Sequence, residues 1–102
     1  MYGLIGKILC IPGQRDTLAA ILAHGTADMP GCLSYVIAFD AAELEALWVT
    51  EVWDSQDSHK ASLALPAVQA AIARGRPLIA GFGLRVETHP VESPAPGLAA
   101  DA

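Results

Sequence analysis

Between positions 2 and 11 (YGLIGKILCI) apolar residues occupy both alternating sets, Leu4, Ile8 and Cys10 on one and Ile5, Leu9 and Ile11 on the other. A short Ile- and Leu-rich run ended by Pro12-Gly13 predicts a strand. A strand that is apolar on both sides predicts burial on both. The period then lengthens: Leu18, Ile21 and Leu22, within 14–24, follow helical spacing, and Gly25 is the expected C-terminal stop. Met29-Pro30-Gly31 reads as a turn, 32–39 (CLSYVIAF) as a second strand and 47–53 as a third. Ser55, after Asp54, is the expected N-cap of a helix over 55–74, which Pro66 either interrupts or restarts at a first-turn position. Val68 and Ile72 continue its apolar stripe, and Gly75 closes it. A fourth strand over 79–89 is predicted to carry Phe82, Leu84 and Val86 on one face. Beyond a domain spanning 1–91, the Pro- and Ala-rich stretch 92–102 is expected to be a flexible tail.

The order β-α-β-β-α-β defines a ferredoxin-like α+β sandwich, a four-stranded antiparallel sheet with two helices on one face. Two helices cover one face only, yet the strands are apolar on both. The cheapest cover for the second face is another copy of the same sheet, so a homodimer packed sheet to sheet is expected. The alternative is a monomer whose open face is a ligand groove.

Composition narrows the function classes. The chain has 102 residues, 53% of them apolar, which fits one domain with a true core and excludes whole-chain disorder. Six basic against eleven acidic residues, a net charge of −5, argue against nucleic acid or an anionic membrane as partner. No apolar run approaches the ~18–20 residues of a membrane span. The first residues lack a basic segment and place Lys7 inside the apolar stretch, unlike a signal peptide, so a cytoplasmic protein is expected. Cys10 and Cys32 fall on strands that are not neighbours in this fold, which predicts reduced, buried thiols.

The densest chemistry lies in Glu51-Val-Trp53-Asp-Ser-x-x-x-His59. Glu51 and Trp53 are two apart on a strand and share a face with Val49 and Leu47. A carboxylate among apolar neighbours needs a partner. Either a cation supplies it, Lys7 and Arg85 being the candidates, or the carboxylate serves chemistry. Trp53 reads equally as a core aromatic whose N–H is bonded at a strand end. His59 sits near the start of the second helix, and a free imidazole titrates near ~6.5. It is either a half-buried polar residue or a proton acceptor at a pocket. His24 and His89 have no second ligand at metal-binding spacing, so no zinc site is expected. Gly81-Phe-Gly83 precedes no helix and is not a phosphate loop.

These features together resemble the antibiotic biosynthesis monooxygenase family, and within it the small quinol-monooxygenase-like members. The resemblance rests on the first strand ending in Ile11-Pro12-Gly13, the Pro30-Gly31-Cys32 turn, Glu51-Val-Trp53, Ser55-x-x-x-His59 and the last strand before His89-Pro90. It implies a dimeric α+β barrel with pockets between sheet and helices. It also implies oxidation of phenols or quinols by O2 without metal, haem or flavin, so no cofactor is expected. Under this resemblance Trp53 walls the pocket beside Glu51 and Val49, His59 assists proton transfer or positions the hydroxyl, and Arg74 or Arg76 balances charge. Two departures matter. Aromatic-polyketide oxygenases of the family carry Asn where this chain has Val49. Haem-degrading relatives use an Asn on the first strand and a later helical His, and this chain has neither. A non-oxygenase enzyme, an isomerase or small-carbonyl processor, and a binding module without turnover are the competing functions on this scaffold.

Overall fold

The computed structural model describes residues 1–91; the tail expected at 92–102 lies outside them. The strands are β1 (Tyr2–Cys10), β2 (Cys32–Phe39), β3 (Ala46–Trp53) and β4 (Ile79–Thr88). The helices are α1 (Arg15–Gly25), α2 (Gln56–Ser62) and α3 (Pro66–Gly75), and a 3₁₀ turn, Arg76–Leu78, leads into β4. The sheet runs β2-β3-β1-β4, with every neighbouring pair antiparallel. This is the ferredoxin-like α+β sandwich expected, with the second helix divided in two. Pro66 decides that division. It lacks the N–H a continuous helix would need, and it opens α3 at the first helical position instead. Ser55 caps α2 as expected, its Oγ accepting the Ser58 N–H at 3.1 Å.

Both Pro-Gly pairs form the same turn. The Gln14 N–H reaches the Ile11 carbonyl at 3.0 Å and the Cys32 N–H reaches that of Met29 at 3.1 Å. Gly13 and Gly31 take φ of +80° and +81° at the third position, the geometry of a type II turn. Gly25 differs from its expected role. It is the last residue of α1 and does not have positive φ. It lets α1 approach α3, because a Cβ there would run into the Ala71 side chain and the Ala67 carbonyl.

The register of β1 with β3 sets Tyr2 beside Trp53, Leu4 beside Glu51, Gly6 beside Val49 and Ile8 beside Leu47. These positions face the helices. Two clusters fill that side: Tyr2, Leu4, Met29, Trp53 and Val68, and Cys10, Leu18, Leu47 and Val49. The opposite face carries Ile5, Leu9, Trp48 and Val52, with Val36 51% exposed.

The predicted alternation of β4 fails at one point. Gly6 pairs with Arg85, but Ile8 pairs with Phe82, so β4 holds one extra residue opposite Lys7. This bulge breaks the expected common face of Phe82, Leu84 and Val86. It puts Phe82 and Arg85 on the side of Ile8 and Gly6, toward the helices. Gly83 makes the bulge feasible, since a Cβ there would press on the Lys7 stem at 3.1–3.3 Å.

Asp40 organises the turn between β2 and β3. Its carboxylate accepts the N–H groups of Ala42 and Glu43, both at 2.8 Å, and the Trp48 indole N–H at 2.7 Å. These bonds, led by the Glu43 N–H, hold its pKa down at about 2. A folded-state pKa below the unfolded ~3.9 adds stability that is fully present above pH ~4 and lost as pH falls toward about 2. Asp40→Asn is therefore expected to lower Tm at pH 7 and to match the parent near pH 2. Melting curves across that range check this, and a constant offset at every pH would contradict it.

Candidate functional site between the sheet and the helices

Glu51 leaves β3 toward the helices and finds its partner two residues on, where the Trp53 indole N–H donates to Oε1 at 3.0 Å. Neither expected cation pairs with it. Lys7 points to the other face, where it binds Glu43 at 2.8 Å, and Arg85 lies 3.5 Å from Glu87. One indole bond leaves most of the carboxylate's acceptor capacity free.

His59 stands in the second turn of the short α2. Its ring lies between two aromatics, 5.6 Å from the Tyr2 ring and 5.5 Å, edge-on, from that of Trp53. Tyr2 is tied in turn to β4 by its hydroxyl, which donates to Glu87 at 2.9 Å. Trp53 itself is fully buried and lines none of the cavities. The expectation that it walls the pocket is corrected: it stands one layer behind and orients the two groups that do.

Three hollows that share lining residues lie between sheet and helices. The innermost, about 120 Å³, is lined by Glu51, His59, Tyr35, Ser62 and Leu22 among others. A second, about 240 Å³, shares Glu51, Tyr35 and Leu22 and adds Val49, Gly6, Phe82 and Arg85. A third, about 620 Å³, shares Leu22, Ile72 and Phe82 and opens past Arg76. Ile72, expected in the buried stripe, is instead partly exposed along this wall, and Val68, Ala71 and Gly75 form the buried face of α3. A groove of about 610 Å³ between the end of α1 and β2 holds neither Glu51 nor His59.

Tyr35 brings a hydroxyl to both inner hollows. Burial first, and the Glu51 charge second, push its pKa well above the ordinary tyrosine value. Among the described residues no three His, Cys, Asp or Glu side chains converge as metal ligands. Cys10 and Cys32 are free, Cys10 buried and Cys32 half-buried, and burial raises both thiol pKa values. No helix among the described residues is long and apolar enough to cross a membrane.

Of the residues singled out from sequence, Val49, Glu51 and His59 meet at the inner hollows, and Arg76 stands at the outer mouth. Arg74 is exposed on α3 and lines none of them. Gly6, Tyr35, Phe82 and Arg85 were missed as site residues. Gly6 and the Gly81/Gly83 pair carried the available signal, because glycine inside a strand marks a bulge or a close approach.

An α+β sandwich with a lined cavity between its sheet and helices defines the class. The sequence profile of the antibiotic biosynthesis monooxygenase family matches residues 1–74. A solved structure from Chloroflexus aurantiacus, provisionally named for that family, is 61% identical over 92% of this chain and 96% of its own, with a TM-score of 0.90. Provisionally named structures from Deinococcus radiodurans (23% identical, 93% and 97% covered, TM-score 0.74) and Caulobacter crescentus (24%, 89% and 90%, TM-score 0.78) share the fold. No curated protein matches the chain. The chain belongs to the antibiotic biosynthesis monooxygenase family.

Proposed function

We propose that the protein is a cofactor-independent monooxygenase that oxidises a small aromatic of the phenol or quinol type with O2. The observation that carries this reading is the convergence of His59, Glu51 and Tyr35 on one apolar hollow in a chain of this family. Triplet O2 reacts slowly with closed-shell molecules, but a phenolate is electron-rich enough to reduce it by one electron. The imidazole of His59 takes the hydroxyl proton, with Glu51 beside it to stabilise the resulting cation. The phenolate passes an electron to O2, and the superoxide and phenoxyl radical combine in a ring carbon–oxygen bond. The peroxide oxygen then takes a proton. Loss of the ring C–H proton breaks the O–O bond, leaving a carbonyl, and the second oxygen departs as water. The sum is a phenol plus O2 giving a quinone plus water.

The test is oxygen uptake by chelator-treated protein with 1-naphthol and a panel of hydroquinones, above the uncatalysed rate. One quinone formed from 1-naphthol per O2 consumed, with no hydrogen peroxide, supports the reading. Thermal shifts without product would favour a binding module.

The same reading takes the protein to be a homodimer packed through the open sheet face. Its support is the half-buried apolar row of Ile5, Leu9, Trp48 and Val52 on the sheet face away from the helices. An obligate interface of on the order of 2,000 Å² is expected. Light scattering at micromolar concentration should give twice the 10.6 kDa chain mass, and a clean monomer would refute it.

A further inference from the structure

The β4 bulge has a chemical consequence. An unbroken strand would turn Leu84 and Val86 to the same face as Phe82. The extra residue opposite Lys7 brings Arg85 to the cavity wall instead, directly across β1 from Val49. Bulges commonly re-aim side chains beside active sites. The Arg85 side chain is 60% exposed, so water solvates its guanidinium and its donors stay open to an anion that enters the hollow. Its one ion partner among the described residues is Glu87, at 3.5 Å between two exposed side chains. Such pairs hold their members weakly; Glu87 takes the Tyr2 hydroxyl on Oε2 and Arg85 on Oε1.

Gly6, between Val49 and Arg85, forms the floor of this hollow. Its φ is not positive, and a Cβ built there would meet nothing within 4 Å. Neither backbone conformation nor close packing calls for glycine here. What its missing side chain provides is room for a flat body over β1. Arg85 and Glu51 sit on the strands flanking β1, two strand spacings across and two residues along, about 12 Å apart at the backbone. A rigid molecule of two fused rings spans such a gap.

We infer that Arg85, aimed by the bulge, and the Gly6 floor form an anion subsite, and that the substrate is a hydroxyaromatic acid whose carboxylate meets Arg85 while its hydroxyl points to Glu51 and His59. This rests on the oxygenase reading and narrows its substrate class. The aryl body lies against Phe82 and Leu22, and the bidentate geometry of guanidinium with carboxylate sets its orientation.

Anaerobic calorimetric titration with 6-hydroxy-2-naphthoate and with 2-naphthol tests the subsite without turnover. The two probes differ by the carboxylate alone. The acid is expected to bind about tenfold or more tightly. Arg85→Gln should remove that preference and leave 2-naphthol affinity within about twofold, whereas Arg85→Lys should keep part of it. Gly6→Leu, whose Cβ meets nothing within 4 Å, fills the floor and should bind neither probe, with a melting curve run beside it to show that it folds. Equal affinity for the two probes, a preference that survives Arg85→Gln, or normal binding by Gly6→Leu would each overturn the subsite. Since these titrations exclude oxygen, the oxygenase reading stands or falls separately, on uptake with a neutral naphthol.

Discussion

Truncating Trp53 to alanine is expected to remove about 3–5 kcal/mol of folding stability, the usual effect of emptying a fully buried aromatic site. A domain of this size has only about 5–15 kcal/mol in all, so the variant should unfold near physiological temperature or in low urea. Trp53 is expected to be this costly because it fills the centre of the cluster with Tyr2, Leu4, Met29 and Val68. It also holds Glu51 through its indole N–H and supports the His59 ring. Trp53→Phe separates these roles. It keeps most of the packing, loses the donor to Glu51, and should lower turnover more than its smaller stability loss explains. Urea unfolding of both variants beside the parent checks the claim, and a loss below about 1 kcal/mol in Trp53→Ala would contradict it.

His59 carries the second large effect. If it takes the substrate proton, its removal should slow turnover by ~10²–10⁴-fold. Alanine is a poor probe, because the ring packs on both Tyr2 and Trp53 and each aromatic contact contributes about 0.5–1.5 kcal/mol. A helix-start histidine facing solvent would show no such loss. His59→Phe keeps a ring between the two aromatics and removes both nitrogens. It is expected to melt close to the parent and to lose turnover by the same factor. Full turnover in His59→Phe would remove His59 from the chemistry and leave Glu51 as the acceptor.

The architecture was legible because punctuation and period agreed along the chain. Pro12-Gly13 and Pro30-Gly31 each forced a turn, Ser55 capped a helix, and Pro66 cut one. The shared face of Val49, Glu51 and Trp53 followed from strand alternation alone, and the β1–β3 register bears it out. What alternation could not supply was the partner of Glu51. Lys7 belongs to the other face by register, and register is a tertiary quantity. Arg85 faces the cavity only because the ladder slips by one residue at Gly83, and a slip of one inverts every expected face beyond it. Arg74 and Arg76 were indistinguishable in sequence. The end of α3 separates them, leaving Arg74 on the exposed helix and Arg76 at the cavity mouth. Trp53, expected to wall the pocket, lies buried behind it, because burial depth depends on Tyr2 and Met29, far away in the chain.

The central claim is that this cavity performs oxygenation with no group beyond the chain's own residues, and labelled oxygen tests it most directly. Chelator-treated protein is incubated with 1-naphthol under ¹⁸O₂, and the quinone is analysed by mass spectrometry. The account predicts one labelled oxygen atom in each quinone, the other in water, one O2 consumed per product and no hydrogen peroxide. Product oxygen drawn from solvent, peroxide formed in step with quinone, or turnover that appears only after a metal or flavin is added would contradict it.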